Sequence, residues 1–152
     1  MSSAIPSLLL RFRDDLNAAA APSTFTSYFT SSTLPTCIEH GPPGHSSLPF
    51  LGRPFTGHAQ IEEYYNLIGT ILKGEGSRFN EEDLLVKEKE GRGKAKAVWT
   101  GEATWSVQKT GKEWEESVVW AFDLIKEEAA EWKIEKWEVW ADTLSAYLAS
   151  KQ

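Results

Sequence analysis

The sequence has few of the residues that build covalent crosslinks and metal centres. Cys37 is its only cysteine, so no disulfide can form within the chain, and a reducing compartment is permitted. The three histidines, His40, His45 and His58, do not follow a metal-ligand spacing. A glycine-rich phosphate loop, a serine nucleophile elbow and a dinucleotide-binding fingerprint are also missing. We therefore predict an activity that needs no metal, nucleotide or other cofactor.

Positive charge is also in short supply. The chain of 152 residues has 16 lysines and arginines against 22 acidic residues, which gives a net charge of -6. Nucleic-acid affinity depends on clustered basic side chains, and here they are scattered among acids, so we predict no nucleic-acid partner. The length predicts a single domain, residues 1–152, that is large enough to bury a sizeable core.

The apolar run nearest the N-terminus is short. Leu8, Leu9 and Leu10 are followed at once by Arg11 and Arg13. Such a run is too short and too charged for a secretory signal peptide or a membrane span. The default expectation is therefore a cytoplasmic protein with no membrane partner.

Aromatic residues, by contrast, are plentiful. All seven tryptophans lie between Lys94 and Asp142: Trp99, Trp105, Trp114, Trp120, Trp132, Trp137 and Trp140. Side chains in this stretch alternate between apolar and polar at a period of two, which is typical of half-buried β-strands. The alternation predicts three strands, Lys94–Gln108, Glu113–Lys126 and Glu131–Ala141, joined by short hairpin loops. The middle strand has apolar residues on both faces, which predicts a central position in the sheet.

Helical periodicity marks three segments nearer the N-terminus. Apolar residues recur at helical spacing over Ala4–Ala21, and Ser23 is placed to cap a second, shorter helix. A third helix is predicted over His58–Lys73, with Tyr64 and Tyr65 pointing inward.

The remaining segments complete an α+β pattern. Thr36–Glu39 is predicted to be extended, the glycine- and proline-rich run Gly41–Pro54 to be a loop, and Glu81–Glu90 to be a further strand. Asp142 is placed to cap a last helix over Thr143–Ser150. The predicted fold class is α+β: a cone-shaped, curved antiparallel sheet with the three N-terminal helices packed on its concave face.

Three short motifs add a family resemblance to this order of elements. The segment Gly57–Tyr65 looks like the glycine and third helix of the nuclear transport factor 2-like superfamily, and Trp132–Ile134 and Trp140–Asp142 look like its closing hairpin and strand. Within that superfamily the sequence resembles the SnoaL-like group of polyketide cyclases, ketosteroid isomerases and scytalone dehydratases. The resemblance spans nearly the whole chain. It implies a single SnoaL-like domain with a cystatin-like cone and a pocket between the helices and the concave sheet face.

Aromatic side chains are predicted to line the implied pocket. The candidate ligand-binding residues are Phe12, Tyr28, Phe29, Trp99, Trp105 and Trp120. Gly101 and Ala103 lie between two of these rings in the sequence, and small residues leave room between large ones. A small, flat, hydrophobic ligand suits such walls. The alternative is that the rings simply fill the core.

Polar candidates for the pocket are few. The segment 37–42 resembles the ketosteroid isomerase segment Val-Glu-Asp-Pro that carries the catalytic aspartate, and His40 falls at the aspartate position. Imidazole exchanges protons near neutral pH, so His40 is the candidate general base or acid. Asp15 is its candidate orienter, because scytalone dehydratase-like enzymes pair a helix aspartate with a histidine, and Tyr65 is a candidate donor to a substrate oxygen. The alternatives are a loop histidine without a catalytic role, an exposed carboxylate and a packing tyrosine.

Two positions argue against ketosteroid isomerase activity itself. Phe12 stands where the resemblance places the oxyanion-hole tyrosine, and Trp120 or Ala121 stands where it places the protonated aspartate. Neither position carries the tyrosine hydroxyl or the protonated carboxyl group that the isomerase aims at the enolate oxygen. We therefore do not expect this particular reaction.

The resemblance instead implies a small cofactor-independent SnoaL-like enzyme. Such an enzyme, an isomerase, dehydratase or cyclase, acts by general acid-base chemistry on a hydrophobic cyclic, polyketide-like or terpenoid-like substrate. The alternative is a non-catalytic module of the same fold that binds a hydrophobic ligand or another protein. An assembly role like that of nuclear transport factor 2 is a third hypothesis.

A homodimer is expected on any of these hypotheses. The second face of the central strand presents Val119, Ala121 and Ile125, and the apolar residues Trp137 and Val139 of the next strand also need cover. Helices on the concave side cannot supply that cover, which favours a second copy of the chain.

Overall fold

Four α-helices and seven β-strands form over residues 4–151, the part of the chain that the computed structural model describes. The helices are α1 (Ala4–Asn17), α2 (Pro22–Thr26), α3 (His58–Ile71) and α4 (Thr143–Ala149). The strands are β1 (Thr36–Glu39), β2 (Phe55–Thr56), β3 (Leu72–Arg78), β4 (Leu84–Lys89), β5 (Lys94–Val107), β6 (Glu113–Lys126) and β7 (Trp132–Trp140). A 3₁₀ turn, Glu81–Asp83, precedes β4. The predicted α+β class is confirmed.

The strands form one curved, open sheet in the order β2-β1-β7-β6-β5-β3, and β4 pairs with the first part of β5. Neighbouring strands are antiparallel except β1 and β7, which run parallel. The sheet is therefore mixed, whereas the sequence predicted an antiparallel one. Most of the chain separates β1 from β7, so no hairpin fixes their relative direction.

The tryptophan-rich half forms as predicted. β6 has the predicted bounds, β5 ends one residue earlier than predicted, and β7 is shorter than predicted by one residue at each end. The predicted cap of the last helix is also confirmed, because Asp142 Oδ1 accepts a hydrogen bond from the Ser145 backbone N–H at 3.0 Å. Long alternating strands and side-chain caps are local signals, which is why the sequence displays them.

The predicted third helix is too long, and the strand that follows it was missed. α3 ends at Ile71, and the chain continues directly into β3, which pairs with the second half of β5. The register of this pairing shifts between Gly74 and Ser77. A Cβ atom on Gly74 would lie 2.8 Å from the Trp105 ring, so close packing against that indole requires glycine. Two glycines in a polar segment hide this strand from sequence patterns, because its pairing is non-local.

The first two helices also differ from their predicted bounds. α1 ends at Asn17, and Ala19 adopts a left-handed conformation with φ of 50° that interrupts the predicted helix. Ser23 does not cap α2: it lies inside the helix, and Pro22 occupies the first turn. None of the helices within residues 4–151 has the length and apolar character needed to cross a bilayer.

An aromatic core joins the helices to the sheet. Phe12 is fully buried, and its ring makes edge-on contacts with rings from α2 and from the sheet, including Trp137 at a centroid distance of 5.0 Å. Three of these rings also stack in succession with Tyr65, in the order Phe25, Tyr65, Trp137 and Phe122. These contacts fix α3 against β7.

Trp137 and Val139 face this core, which corrects the prediction that they need cover from a second copy. The β6–β7 register shifts where Asp123 and Leu124 pair with Lys136 and Ile134, so one extra residue of β7 lies in a bulge. Residues before and after the bulge therefore follow opposite phases of the alternation. Because of the bulge, Trp137 lies on the same sheet face as Ile134, and only 3% of its surface is exposed to solvent.

Candidate functional site

A cavity of about 640 Å³ lies between α3 and the sheet face that the helices cover. The end of α1, α2 and the C-terminal α4 complete its walls. The lining is mainly apolar, and its largest side chains are Tyr64, Tyr65, Trp105, Trp114, Trp120 and Trp137. A cavity of this size and character suits a small hydrophobic molecule.

Glu39 brings a carboxyl group into this apolar cavity. It is the last residue of β1 and shares a strand face with the buried Cys37, so its side chain points inward. The Tyr64 hydroxyl donates a hydrogen bond to Glu39 Oε1 at 3.3 Å. Burial raises the pKa of Glu39 to about 7, the negative charge of Glu116 adds to the rise, and the hydrogen bond from Tyr64 opposes it. Near neutral pH, Glu39 therefore populates both the acid and the carboxylate forms.

Glu116 is the second carboxyl group on the cavity wall. It lies on β6 and is only 8% exposed. Its Oε2 accepts hydrogen bonds from the Trp114 indole N–H and from the Asp142 backbone N–H, both at 3.0 Å. Burial raises the pKa of Glu116, and these hydrogen bonds oppose that rise. Glu116 therefore ties the start of α4 to the sheet while remaining in the cavity lining.

Two hydrogen-bond donors on the cavity wall lack partners. The hydroxyl of Tyr65 and the indole N–H of Trp137 are buried, and neither meets an acceptor within residues 4–151. The two rings are stacked, with centroids 5.9 Å apart. An unsatisfied buried polar group costs about 1–3 kcal/mol, so both donors have free energy to gain from an acceptor.

Comparisons with solved structures support one fold for the whole chain. A ketosteroid isomerase-like protein from Erwinia carotovora atroseptica aligns with a TM-score of 0.70 at 13% identity, over 91% of this chain and 94% of that one. A nuclear transport factor 2-like protein from Burkholderia xenovorans aligns with a TM-score of 0.64 at 13% identity, over 99% and 98%. A putative dehydratase of the nuclear transport factor 2-like family from Streptomyces avermitilis gives 0.63 at 13% identity, over 92% and 95%.

The chain has the nuclear transport factor 2-like fold. No protein-family model matches the sequence, and no curated protein matches it either. The similarity is therefore one of architecture, at identities that carry no residue roles from one protein to another.

Within this nuclear transport factor 2-like fold, the three predicted catalytic residues are not brought together. His40 directly follows the last residue of β1, and its side chain lies on the other side of the sheet from Glu39. Its Nε2 lies 3.0 Å from Glu138 Oε1, and its ring stacks on Trp140 at 4.4 Å. Asp15 accepts a hydrogen bond from the Tyr28 hydroxyl, which joins α1 to α2. Neither His40 nor Asp15 belongs to the cavity lining, whereas Tyr65 does.

The predicted ligand-binding residues divide in the same way. Trp105 and Trp120 line the cavity, as predicted. The other four lie outside the lining. Phe12 and Phe29 are buried in the core. Trp99 donates its indole N–H to the Asn80 carbonyl at 2.7 Å, and the Tyr28 hydroxyl donates to Asp15. Dense aromatic packing, which was the alternative interpretation, accounts for them.

Sequence reasoning missed Glu39 and Glu116, and it predicted that Tyr64 points inward without giving its hydroxyl a role in the site. The orientation of Glu116 could have been predicted, because Glu116 is an even number of residues from Trp114 and Trp120 and therefore lies on the same, inward face of β6. Glu39 lies one residue from the predicted base, and no local pattern distinguishes their orientations in a strand of four residues. Within residues 4–151, no group of three or more His, Cys, Asp or Glu side chains is placed to hold a metal ion.

Proposed function

We propose that this protein is a small cofactor-independent enzyme that transfers protons on a hydrophobic cyclic molecule, in an isomerisation, dehydration or ring closure. The observation that carries the proposal is Glu39, a carboxyl group with a pKa of about 7 in an apolar cavity. A general base or acid works best when its pKa lies near the working pH. The solved structures of similar fold include proteins described as isomerase-like and as a dehydratase, which supports the class of chemistry.

The proposed roles follow from the contacts. Glu39 takes a proton from the substrate and returns it, and its hydrogen bond from Tyr64 holds the carboxyl group in place. The unpaired donors of Tyr65 and Trp137 are available for an oxygen atom of the substrate, where negative charge develops as the proton leaves. The base is therefore Glu39 rather than His40, whose side chain lies outside the cavity.

Deuterium exchange tests this proposal without knowledge of the natural substrate. 1-Tetralone, a bicyclic ketone with exchangeable α-protons, is incubated with the protein in D₂O, and mass spectrometry follows deuterium incorporation. We expect Glu39→Gln to lower the protein-dependent exchange rate by about 10²–10⁴-fold, the usual contribution of a general base. His40→Gln is the matched control and retains the wild-type rate. Full exchange in Glu39→Gln would refute the role of Glu39, and loss of exchange in His40→Gln alone would return the base role to the histidine.

Non-catalytic ligand binding is the alternative, and one observation favours it. The second carboxyl group of the cavity, Glu116, is engaged in hydrogen bonds that hold α4, so Glu39 alone is left for proton transfer. On this alternative 1-tetralone quenches the tryptophan fluorescence of the cavity, but the protein does not accelerate exchange.

A further inference from the structure

The charges that line the cavity are unbalanced. Its lining includes the carboxyl groups of Glu39, Glu116 and Asp142, and Lys73 is the only lysine or arginine among the lining residues that the structure describes. Lys73 is itself solvent-exposed. The Asp142 carboxylate caps α4 through Ser145, and this lowers its pKa. The other two carboxyl groups form no ion pair within residues 4–151.

Aromatic rings surround the same two carboxyl groups. The Trp114 indole donates to Glu116, and the Tyr64 hydroxyl donates to Glu39, so each acid is held against a ring of the cavity wall. Trp105, Trp120 and Trp137 line the remaining space. The faces of such rings attract cations, and tryptophan does so most strongly. Carboxylates and aromatic faces together form the chemistry that recognises a protonated amine.

We propose that the cavity selects a ring-bearing hydrophobic ligand that carries a protonated amine, with the ammonium group bound near Glu39 and Glu116. This inference rests on the proposed function only in taking the cavity as the substrate site. The ammonium group compensates the half-buried Glu39 and the buried Glu116, which have no cationic partner within residues 4–151, and the apolar body of the ligand fills the space between the indoles. A neutral ligand leaves the acids uncompensated, and an anionic ligand is repelled.

The titratable groups around Glu39 fix the pH dependence of this selection. Cys37 on β1 and both tyrosines of α3 have their pKa values raised by burial, so they stay neutral near physiological pH. Glu116 on β6, Asp142 just before α4 and Lys73 near the start of β3 complete the set. Glu39 ionises as the pH rises through about 7, so preference for a cation increases over that range.

Three probes that share one ring system measure the selection. 1-Naphthylmethylamine is cationic, 1-naphthalenemethanol is neutral and of nearly the same shape, and 1-naphthoate is anionic; isothermal titration calorimetry gives each Kd at pH 8 and at pH 5.5. At pH 8 we expect the amine to bind at least about tenfold more tightly than the alcohol, as for a desolvated cation against aromatic rings, and the naphthoate to bind most weakly. At pH 5.5 the preference for the amine decreases, because Glu39 is then protonated.

Matched variants assign the preference to the two acids. Glu39→Gln lowers the ratio of the two Kd values about tenfold, whereas Glu113→Gln, an exposed position on the same strand as Glu116, leaves it unchanged. Glu116→Gln has the same effect as Glu39→Gln if α4 stays docked, and a thermal melt verifies the fold of each variant. If Glu116→Gln unfolds, the Glu39 comparison alone decides.

Equal or weaker binding of the amine at pH 8, a preference that survives Glu39→Gln, or no binding of the amine at millimolar concentration overturns the inference. These outcomes are distinct from failure of the proposed function, because the probes do not react. Amine selection without exchange of 1-tetralone contradicts only the enzymatic proposal. Exchange of 1-tetralone in a protein that prefers the alcohol contradicts only the choice of ligand.

Discussion

Replacing Glu39 with glutamine should stabilise the protein at neutral pH while it abolishes the proposed chemistry. Glutamine has nearly the same shape as glutamate and can still accept the hydrogen bond from Tyr64, so packing in the cavity is preserved. The substitution removes only the ionisable group. Its effect on the free energy of unfolding therefore reports the cost of an ionised Glu39 in the folded state.

The pKa of Glu39 sets the size and the pH range of this effect. In the folded protein the pKa of Glu39 rises from 4.5 to about 7, so the folded state binds the proton more tightly than the unfolded state does. Below pH 4.5 both states are protonated and the group has no effect. As the pH rises to about 7, the unfolded state releases its proton first, and stability falls by about 1.4 kcal/mol per pH unit. Above pH 7 the full destabilisation, about 3 kcal/mol, remains.

Urea unfolding followed by tryptophan fluorescence measures this difference. At pH 8, Glu39→Gln should exceed the wild type in unfolding free energy by about 2–3 kcal/mol, and the two proteins should be equal at pH 4. The exposed Glu113→Gln serves as control and should track the wild type at every pH. A difference that is the same at pH 4 and pH 8 would show that Glu39 does not ionise at a cost, and it would remove the physical basis of its role as a base.

Two further predictions concern an unpaired donor and an exposed face. Tyr65→Phe removes a buried hydroxyl that has no partner, so we expect it to raise the unfolding free energy by about 1–3 kcal/mol and to slow 1-tetralone exchange. A loss of more than about 2 kcal/mol would mean that the hydroxyl is satisfied in the unliganded protein. The outer sheet face exposes three large apolar side chains: Val98 is 41% exposed, its register partner Leu85 is 70% exposed, and Trp140 is 43% exposed. We propose that this face forms a homodimer interface. Sedimentation equilibrium should show that the wild type is a dimer. The double variant Val98→Glu/Trp140→Glu should be a monomer, whereas the control Leu144→Glu on α4 should remain a dimer. A monomeric wild type at micromolar concentration would contradict the interface.

The architecture was readable from the sequence wherever the signal was local. The bounds of β6 follow from alternation over fourteen residues, and the cap of α4 follows from Asp142 alone. β3 and the parallel pairing of β1 were not readable, because both depend on contacts with distant strands. The inward turn of Trp137 depends on a bulge in β7, which shifts the alternation by one residue.

The site was less predictable than the fold because strand parity decides which residues line it. A register difference of one residue exchanges the faces of a strand, and β1 offers four residues from which to judge. The resemblance pointed to segment 37–42, and the pairing of β1 with β7 turns Glu39 of that segment to the cavity and His40 to Glu138. The aromatic residues show the same limit, since periodicity identifies inward side chains without separating core from cavity wall.

The placement of Glu39 is itself an argument for function. Its ionisation lowers stability near neutral pH, no described cation compensates it, and a glutamine would preserve its hydrogen bond with Tyr64. Folding therefore gives no reason for an acid at this position, whereas proton transfer and recognition of an amine both require one. Glu116, by contrast, holds α4 and has a structural reason to be where it is. Glu116 therefore has a structural role, whereas Glu39 lowers stability. Glu39 is the position at which a substitution should change stability and activity in opposite directions.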